Sequence, residues 1–189
     1  MVYDRAALAR VLKGLREHGV DGVIIGSTVY ALRLGFKEFE DDVDLFTTTV
    51  SPSFDEDVVA EAADALNCMV CQHGWGGPQL RCPVGCEEVT VELHENIYDF
   101  YVPEEMLNDA ETVKVCGTPL RLLRIEDYLV LKAKAGREKD LEDLRYLSDI
   151  IRKGKLRINT KLIISRLALF DECDSRLIIK RLRACGVIK

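Results

Sequence analysis

No apolar run in the chain approaches the roughly 20 residues needed to span a bilayer, so a helical membrane protein is excluded. The opening stretch MVYDRAALARVLKGL scatters charges where a secretory leader would carry an apolar core, so it does not read as a signal peptide. A cytoplasmic location is the resulting expectation. There is no internal repeat and no low-complexity segment. Histidine is scarce: His18, His73 and His94 are the only three, and their spacing makes no catalytic triad. His94 shares a strand face with Glu92 and so either borders a site there or, the plainer reading, is a surface histidine.

A chain of 189 residues can bury a substantial core as one domain, or as one domain with a small appendage. Its net charge of −6 is unevenly spread. Residues 150–189 hold 11 Lys/Arg against 3 Asp/Glu, a balance of +8, which leaves −14 on the remainder. An acidic body repels nucleic acid and a basic tail attracts it. The plainer reading is a solvated basic face docked on an acidic body. Seven cysteines are many for a cytosolic chain. Cys68-x2-Cys71 and Cys82-x3-Cys86, with His73 nearby, have the spacing of a zinc site. Against zinc, 68–72 reads as a strand, which points Cys68 and Cys71 to opposite faces. Free or merely buried thiols, a disulfide and a zinc site all remain open.

In chain order, Asp4 caps a helix to about His18, with Leu8, Val11, Leu12 and Leu15 as its apolar stripe and Gly19 as its stop. Ser53 is the expected cap of the helix FDEDVVAEAADAL. Strands are expected at 68–72 and 88–93, with a possible continuation at 98–102, and a short helix opens at Pro103. Gly117-Thr118 joins a hairpin of 112–116 and 119–123. Helices follow at 125–135, broken at Gly136, and at 138–151. Beyond Gly154, Asn159-Thr160 and Asp174-Ser175 are the expected caps of two further helices. This order predicts an α/β (α+β) fold with a mixed sheet flanked by helices. The expected domain is 1–153, with a basic helical extension at 154–189.

The chemistry concentrates in Gly22–Phe46. A buried strand (23–25) leads to a Gly26-Ser27 turn and a short helix, whose backbone N–H groups suit a phosphate. A second strand is expected to carry Asp42 and Asp44. Two neighbouring carboxylates repel each other and call for a cation, and Mg²⁺ needs only one or two protein carboxylates beside phosphate oxygens. Solvated acids at a strand end are the bland alternative. In VTVEL, Val89, Val91 and Leu93 share one face, which isolates Glu92 on the other.

The run GSTVYALRLGFKEFEDDVDLF resembles the signature of the minimal nucleotidyltransferases of the DNA polymerase β superfamily. The closest likeness is to the abortive-infection toxin-type branch. RIEDYLVLKAKAGREKDLEDLRYL looks like that branch's second motif, a lysine-bearing helix followed by R-x-K-D. The resemblance implies an NTP substrate held by Gly26, Ser27, Lys132 and Arg137, with Mg²⁺ on Asp42 and Asp44. It assigns Glu92 as third carboxylate, either metal ligand or general base. Asp140 would orient Lys132 or Arg137, or simply favour the helix dipole. The implied activity is transfer of an NMP to an acceptor hydroxyl on RNA, protein or a small molecule. RNA, tRNA included, would be gripped by the basic tail. Glu38-Phe39-Glu40-Asp41 departs from the family, which often has basic or Ser/Thr residues there. That departure favours an alternative: a non-catalytic nucleotide- or partner-binding member, such as a toxin–antitoxin component.

Overall fold

Asp4 accepts a hydrogen bond from the Ala7 amide at 2.8 Å and so caps helix α1 (Arg5–Glu17). In this computed structural model, which describes residues 2–74, 76–97 and 100–189, the rest of the chain follows as β2 (Gly22–Ile24), α2 (Thr28–Arg33), β3 (Glu38–Phe39), β4 (Val43–Thr47), α3 (Glu56–Ala65), β5 (Met69–Gln72), β6 (Pro78–Val84), β7 (Glu87–His94), α4 (Glu104–Asn108), β8 (Glu111–Val115), β9 (Thr118–Leu122), α5 (Ile125–Ala135), α6 (Glu138–Arg152), α7 (Thr160–Arg166) and α8 (Glu172–Ala184). A two-residue strand, β1 (Tyr3–Asp4), precedes α1 and pairs with β3. Among the described residues, no helix is long and apolar enough to cross a membrane.

Two compact units emerge: 1–102 with 107–123, and 103–106 with 124–189. The first is the expected mixed α/β unit. Its seven-stranded sheet has the order β5-β6-β7-β4-β2-β9-β8. The pairs β4–β7 and β2–β9 are parallel and the others antiparallel. Alternation along β4 and β7 buries Val43, Leu45, Val89, Val91 and Leu93. The α1 stripe Leu8, Val11, Leu12 and Leu15 is likewise buried, and α1 packs on β7, β9 and β6. The 116–117 turn of the β8–β9 hairpin places both Cys116 and Gly117 at positive φ, the backbone such a two-residue turn requires.

The second unit packs α6, α7 and α8 on α5. Gly136 ends α5 in the left-handed region at φ 61°. The Arg181 guanidinium then donates to the Ala133 and Lys134 carbonyls at 2.8 and 2.6 Å, capping that helix end. Arg166 and Asp127 form a buried ion pair at 2.7 Å. The 153/154 position, where a domain boundary was expected, lies inside this unit.

Several local expectations change. The α3 N-cap is Asp55, with no side-chain capping bond, and Ser53 instead sits in the preceding turn, its amide donating to Glu95. The α8 cap is Asp171, which accepts from the Asp174 amide at 2.8 Å, so Asp174 and Ser175 lie inside the helix. Both errors come from a run of polar residues in which every member has capping chemistry. Tyr98 and Asp99 of the expected 98–102 strand lie outside the described residues, and among the described residues beside them Ile97 and Phe100 form an isolated bridge. Cys68 and Cys82, one step beyond the Met69–Arg81 pair of the β5–β6 ladder, are joined as a disulfide. That bond removes two thiolates from the zinc alternative, while Cys71 and Cys86 remain free thiols.

Candidate active site

The parallel β4–β7 ladder sets Asp44 opposite Glu92 and Phe46 opposite His94. Two acids 48 positions apart in sequence thereby become neighbours on one sheet face. From the other side, the Ile25 amide donates to the Asp44 carbonyl at 2.9 Å, which draws the 26–27 turn onto β4. Gly26 then lies so near the Asp44 carboxylate that a Cβ there would stand 1.7 Å from Oδ2. Only glycine fits this approach without displacement of the acid.

The structure adds His94 to the pair. Rather than a surface residue, it is buried, with 6% of its surface exposed. Its Nε2 lies 2.9 Å from Asp44 Oδ1 and 3.7 Å from Glu92 Oε2. The ring is held between Phe100, at a centroid distance of 5.1 Å, and His73, at 4.9 Å. Glu92 Oε1 accepts from Gln79 Nε2 at 3.0 Å, so one carboxylate oxygen is oriented by β6. The ligand atoms of Asp44, Glu92 and His94 all lie within 4.8 Å of one another. Two carboxylates and an imidazole at that spacing form a donor set that fits a divalent cation.

Asp42 does not belong to this trio. It immediately precedes β4 rather than lying within it. Partial desolvation, then the charges of Asp44 and Asp41, raise its pKa, opposed by a hydrogen bond with Thr90. Like charges this close favour an added cation. Tyr3 anchors the acidic loop: its buried hydroxyl donates to the Asp41 carbonyl at 2.8 Å, and its ring stacks on Phe39. Burial above all, with the charges of Asp42, Asp41 and Asp44 behind it, pushes the Tyr3 pKa well up.

Lys132 and Arg137 belong to the helical unit, and both are bound to Asp140. Lys132 Nζ lies 2.7 Å from Asp140 Oδ1 and 3.1 Å from Asp143 Oδ2. Arg137 donates to Asp140 through Nε at 2.8 Å, Nη2 at 3.1 Å and its backbone amide at 3.1 Å. Asp140 is fully buried and collects both cations. Burial alone would lower the Lys132 pKa, but the two aspartates outweigh it and raise it. Burial would raise Asp140, but Arg137 and Lys132 hold it below the ordinary carboxylate value. Asp140 thus holds both Lys132 and Arg137, where the sequence left open either one of them or a contribution to the helix dipole.

A family model described as nucleotidyl transferase of unknown function (DUF2204) matches residues 4–184. The chain belongs to this family. No curated protein matches it. An antigenic nucleotidyltransferase-like protein from Paracoccidioides brasiliensis has a similar structure at 14% identity and TM-score 0.55, over 95% of this chain and 85% of that one. A putative nucleotidyltransferase from H. pylori aligns at 17% identity and TM-score 0.49, over 97% and 93%. ANT(2")-Ia in complex with adenylyl-2"-tobramycin aligns at 18% and 0.45, over 95% and 97%. The likeness to the Paracoccidioides protein, at that identity, is one of fold alone, and it agrees with the mixed sheet flanked by helices.

What the sequence left undecided was His94, which borders the site as one reading had it but is buried among its ligand atoms rather than at the surface. Its i+2 relation to Glu92 put it on the right face, but nothing in the sequence showed that the ladder would pair Glu92 with Asp44 and so bring the imidazole within 2.9 Å of that acid.

Proposed function

We propose that the chain transfers a nucleoside monophosphate from an NTP to an acceptor hydroxyl at the Asp44–Glu92 centre, with Asp42 beside it. The register that pairs Asp44 with Glu92 against the Gly26 turn carries this reading. In the reaction, the acceptor oxygen bonds to the α-phosphorus, the bond to the β-phosphate oxygen breaks, and pyrophosphate leaves. Asp42, Asp44 and Glu92 are the candidate holders of a divalent cation, Mg²⁺ by resemblance. Such an ion would neutralise phosphate charge and activate the hydroxyl. Glu92, whose Oε1 accepts from Gln79, would take the hydroxyl proton if it does not ligate the ion. Gly26 and Ser27 would present backbone amides to the phosphates. Lys132 and Arg137 remain the candidate phosphate cations, with Asp140 as their positioning residue.

The run Arg137-Glu138-Lys139-Asp140 supports a place near the abortive-infection toxin-type branch, and hence a toxin–antitoxin setting. As acceptor, RNA suits the exposed Lys153, Lys155, Arg157, Lys161, Lys180 and Arg183 of the helical unit. The decisive experiment incubates the protein with labelled NTPs, a divalent ion, and RNA or protein extract, beside an Asp42→Ala/Asp44→Ala variant. Ion-dependent labelling that the variant loses supports the enzyme. NTP binding without transfer points instead to a non-catalytic binding member, and neither binding nor transfer leaves only a partner-binding role.

A further inference from the structure

We infer that His94 is a ligand of the metal centre, so that the site holds a divalent transition ion such as Mn²⁺ in preference to Mg²⁺. The inference rests on the reading of Asp44 and Glu92 as a metal centre and goes beyond it to the class of ion. Its ground is the buried imidazole. His94 Nε2 lies 2.9 Å from one carboxylate and 3.7 Å from the other, inside the set of ligand atoms rather than behind it. A histidine that merely supports a ligand from behind would contact one carboxylate on its far side. This one has a ring nitrogen in the same 4.8 Å cluster as both acids.

The ring is also pre-set for ligation. Phe100 stacks on it with an interplanar angle of 28° and His73 is tilted across it at 44°. His73 in turn is buried, with Nε2 3.2 Å from the Leu93 carbonyl, so the support is itself fixed. Little rotamer freedom remains to be lost when an ion arrives, which favours binding. Thr47 Oγ1 donates to the His94 carbonyl at 3.1 Å and ties the end of β7 to β4, keeping the imidazole in register with Asp44.

The donor chemistry then selects the ion. Mg²⁺ is hard, demands oxygen donors and keeps several waters. Imidazole nitrogen adds affinity for transition ions over Mg²⁺. An all-carboxylate centre would suit Mg²⁺, whereas adding Nε2 to the oxygen donors shifts the balance towards first-row transition ions, of which Mn²⁺ stays nearest to Mg²⁺ in its liking for carboxylate.

The test uses the full chain stripped of metal. Titration calorimetry with Mn²⁺ and Mg²⁺ compares wild type with His94→Gln, and pulsed electron paramagnetic resonance of Mn²⁺-loaded wild type reads nitrogen coupling directly. Wild type should favour Mn²⁺. His94→Gln should lose about tenfold or more of Mn²⁺ affinity, leave Mg²⁺ affinity nearly unchanged, and abolish the nitrogen coupling. Absence of nitrogen coupling in wild type overturns the inference, and so does an equal loss for both ions. The wild-type spectrum keeps the test valid even if the variant folds poorly. Label transfer without nitrogen coupling would sink this inference and leave the proposed activity standing. Nitrogen-coupled Mn²⁺ without any transfer would support the ligand assignment and sink the activity.

Discussion

A Cβ on Gly26 would stand 1.7 Å from Asp44 Oδ2, closer than any non-bonded contact allows. The turn and the acid are therefore built as one unit. Gly26→Ala should cost about 1–3 kcal/mol in stability, as overpacking does, and should push the carboxylate out of place. Both divalent-ion affinity and label transfer should fall in the variant. Gly74→Ala is the control: nothing lies within 4 Å of a Cβ there, and its effect should stay within about 0.5 kcal/mol. Unchanged ion binding in Gly26→Ala would show that turn and acid are independent.

Asp140 is fully buried between Lys132 and Arg137. Asp140→Asn should lower unfolding free energy by roughly 3 kcal/mol, because it leaves the part-buried Lys132 ammonium short of a partner. The sign of the pH dependence follows from the two shifts. Asp140 has a folded pKa below its unfolded value. Its contribution is therefore complete above the unfolded value of about 3.9 and is lost as pH falls through the lower folded value. Lys132 is raised. Its contribution is complete below about 10.4 and is lost as pH rises through the higher folded value. Urea unfolding of wild type and variant should differ by a constant amount at neutral pH, and the gap should close in acid.

Arg181 is not a surface charge of the basic tail. It closes the carboxyl end of α5 through two carbonyls. Arg181→Ala should cost about 1.5–3 kcal/mol in a thermal melt. Lys180→Glu and Arg183→Glu, both at exposed positions, should each stay within about 0.5 kcal/mol. The latter pair is the proper probe of RNA binding. If RNA is the acceptor, the double charge reversal weakens binding and flattens its salt dependence. Unchanged RNA affinity would assign the basic surface to solvation alone.

The Cys68–Cys82 bond closes a loop of sequence separation 14. Reduction, or Cys68→Ala with Cys82→Ala, should lower stability by about 3 kcal/mol for a loop of that length. Thiol titration of the unfolded chain should find five free groups before reductant and seven after it. Seven at the outset would show the bond is not formed.

Features that depend on neighbours along the chain are legible in the sequence itself. The Asp4 cap, the Gly136 stop and the α5 and α6 helices follow from local backbone preference and helical periodicity. The β8–β9 hairpin is local too, but its turn is Cys116-Gly117, one residue before the expected Gly117-Thr118. Glu92 is separable from Val91 and Leu93 because alternation in a strand is itself local. Where several polar residues offer the same capping chemistry, as at 53–57 and 171–175, local preference has no unique answer and the packed chain chooses Asp55 and Asp171. The remaining site features depend on which strands lie side by side. Period-2 alternation places His94 on the face of Glu92, but its burial against Asp44 requires β4 and β7 to pair in one register. Likewise, only packing assigns Arg181 to the α5 carbonyls and Cys68 to Cys82, and gives Asp140 both Lys132 and Arg137 rather than one of them. Charge and donor type are properties of a residue, whereas partnership is a property of distance. In this chain, tertiary structure closes those distances and joins His94 to the two acids.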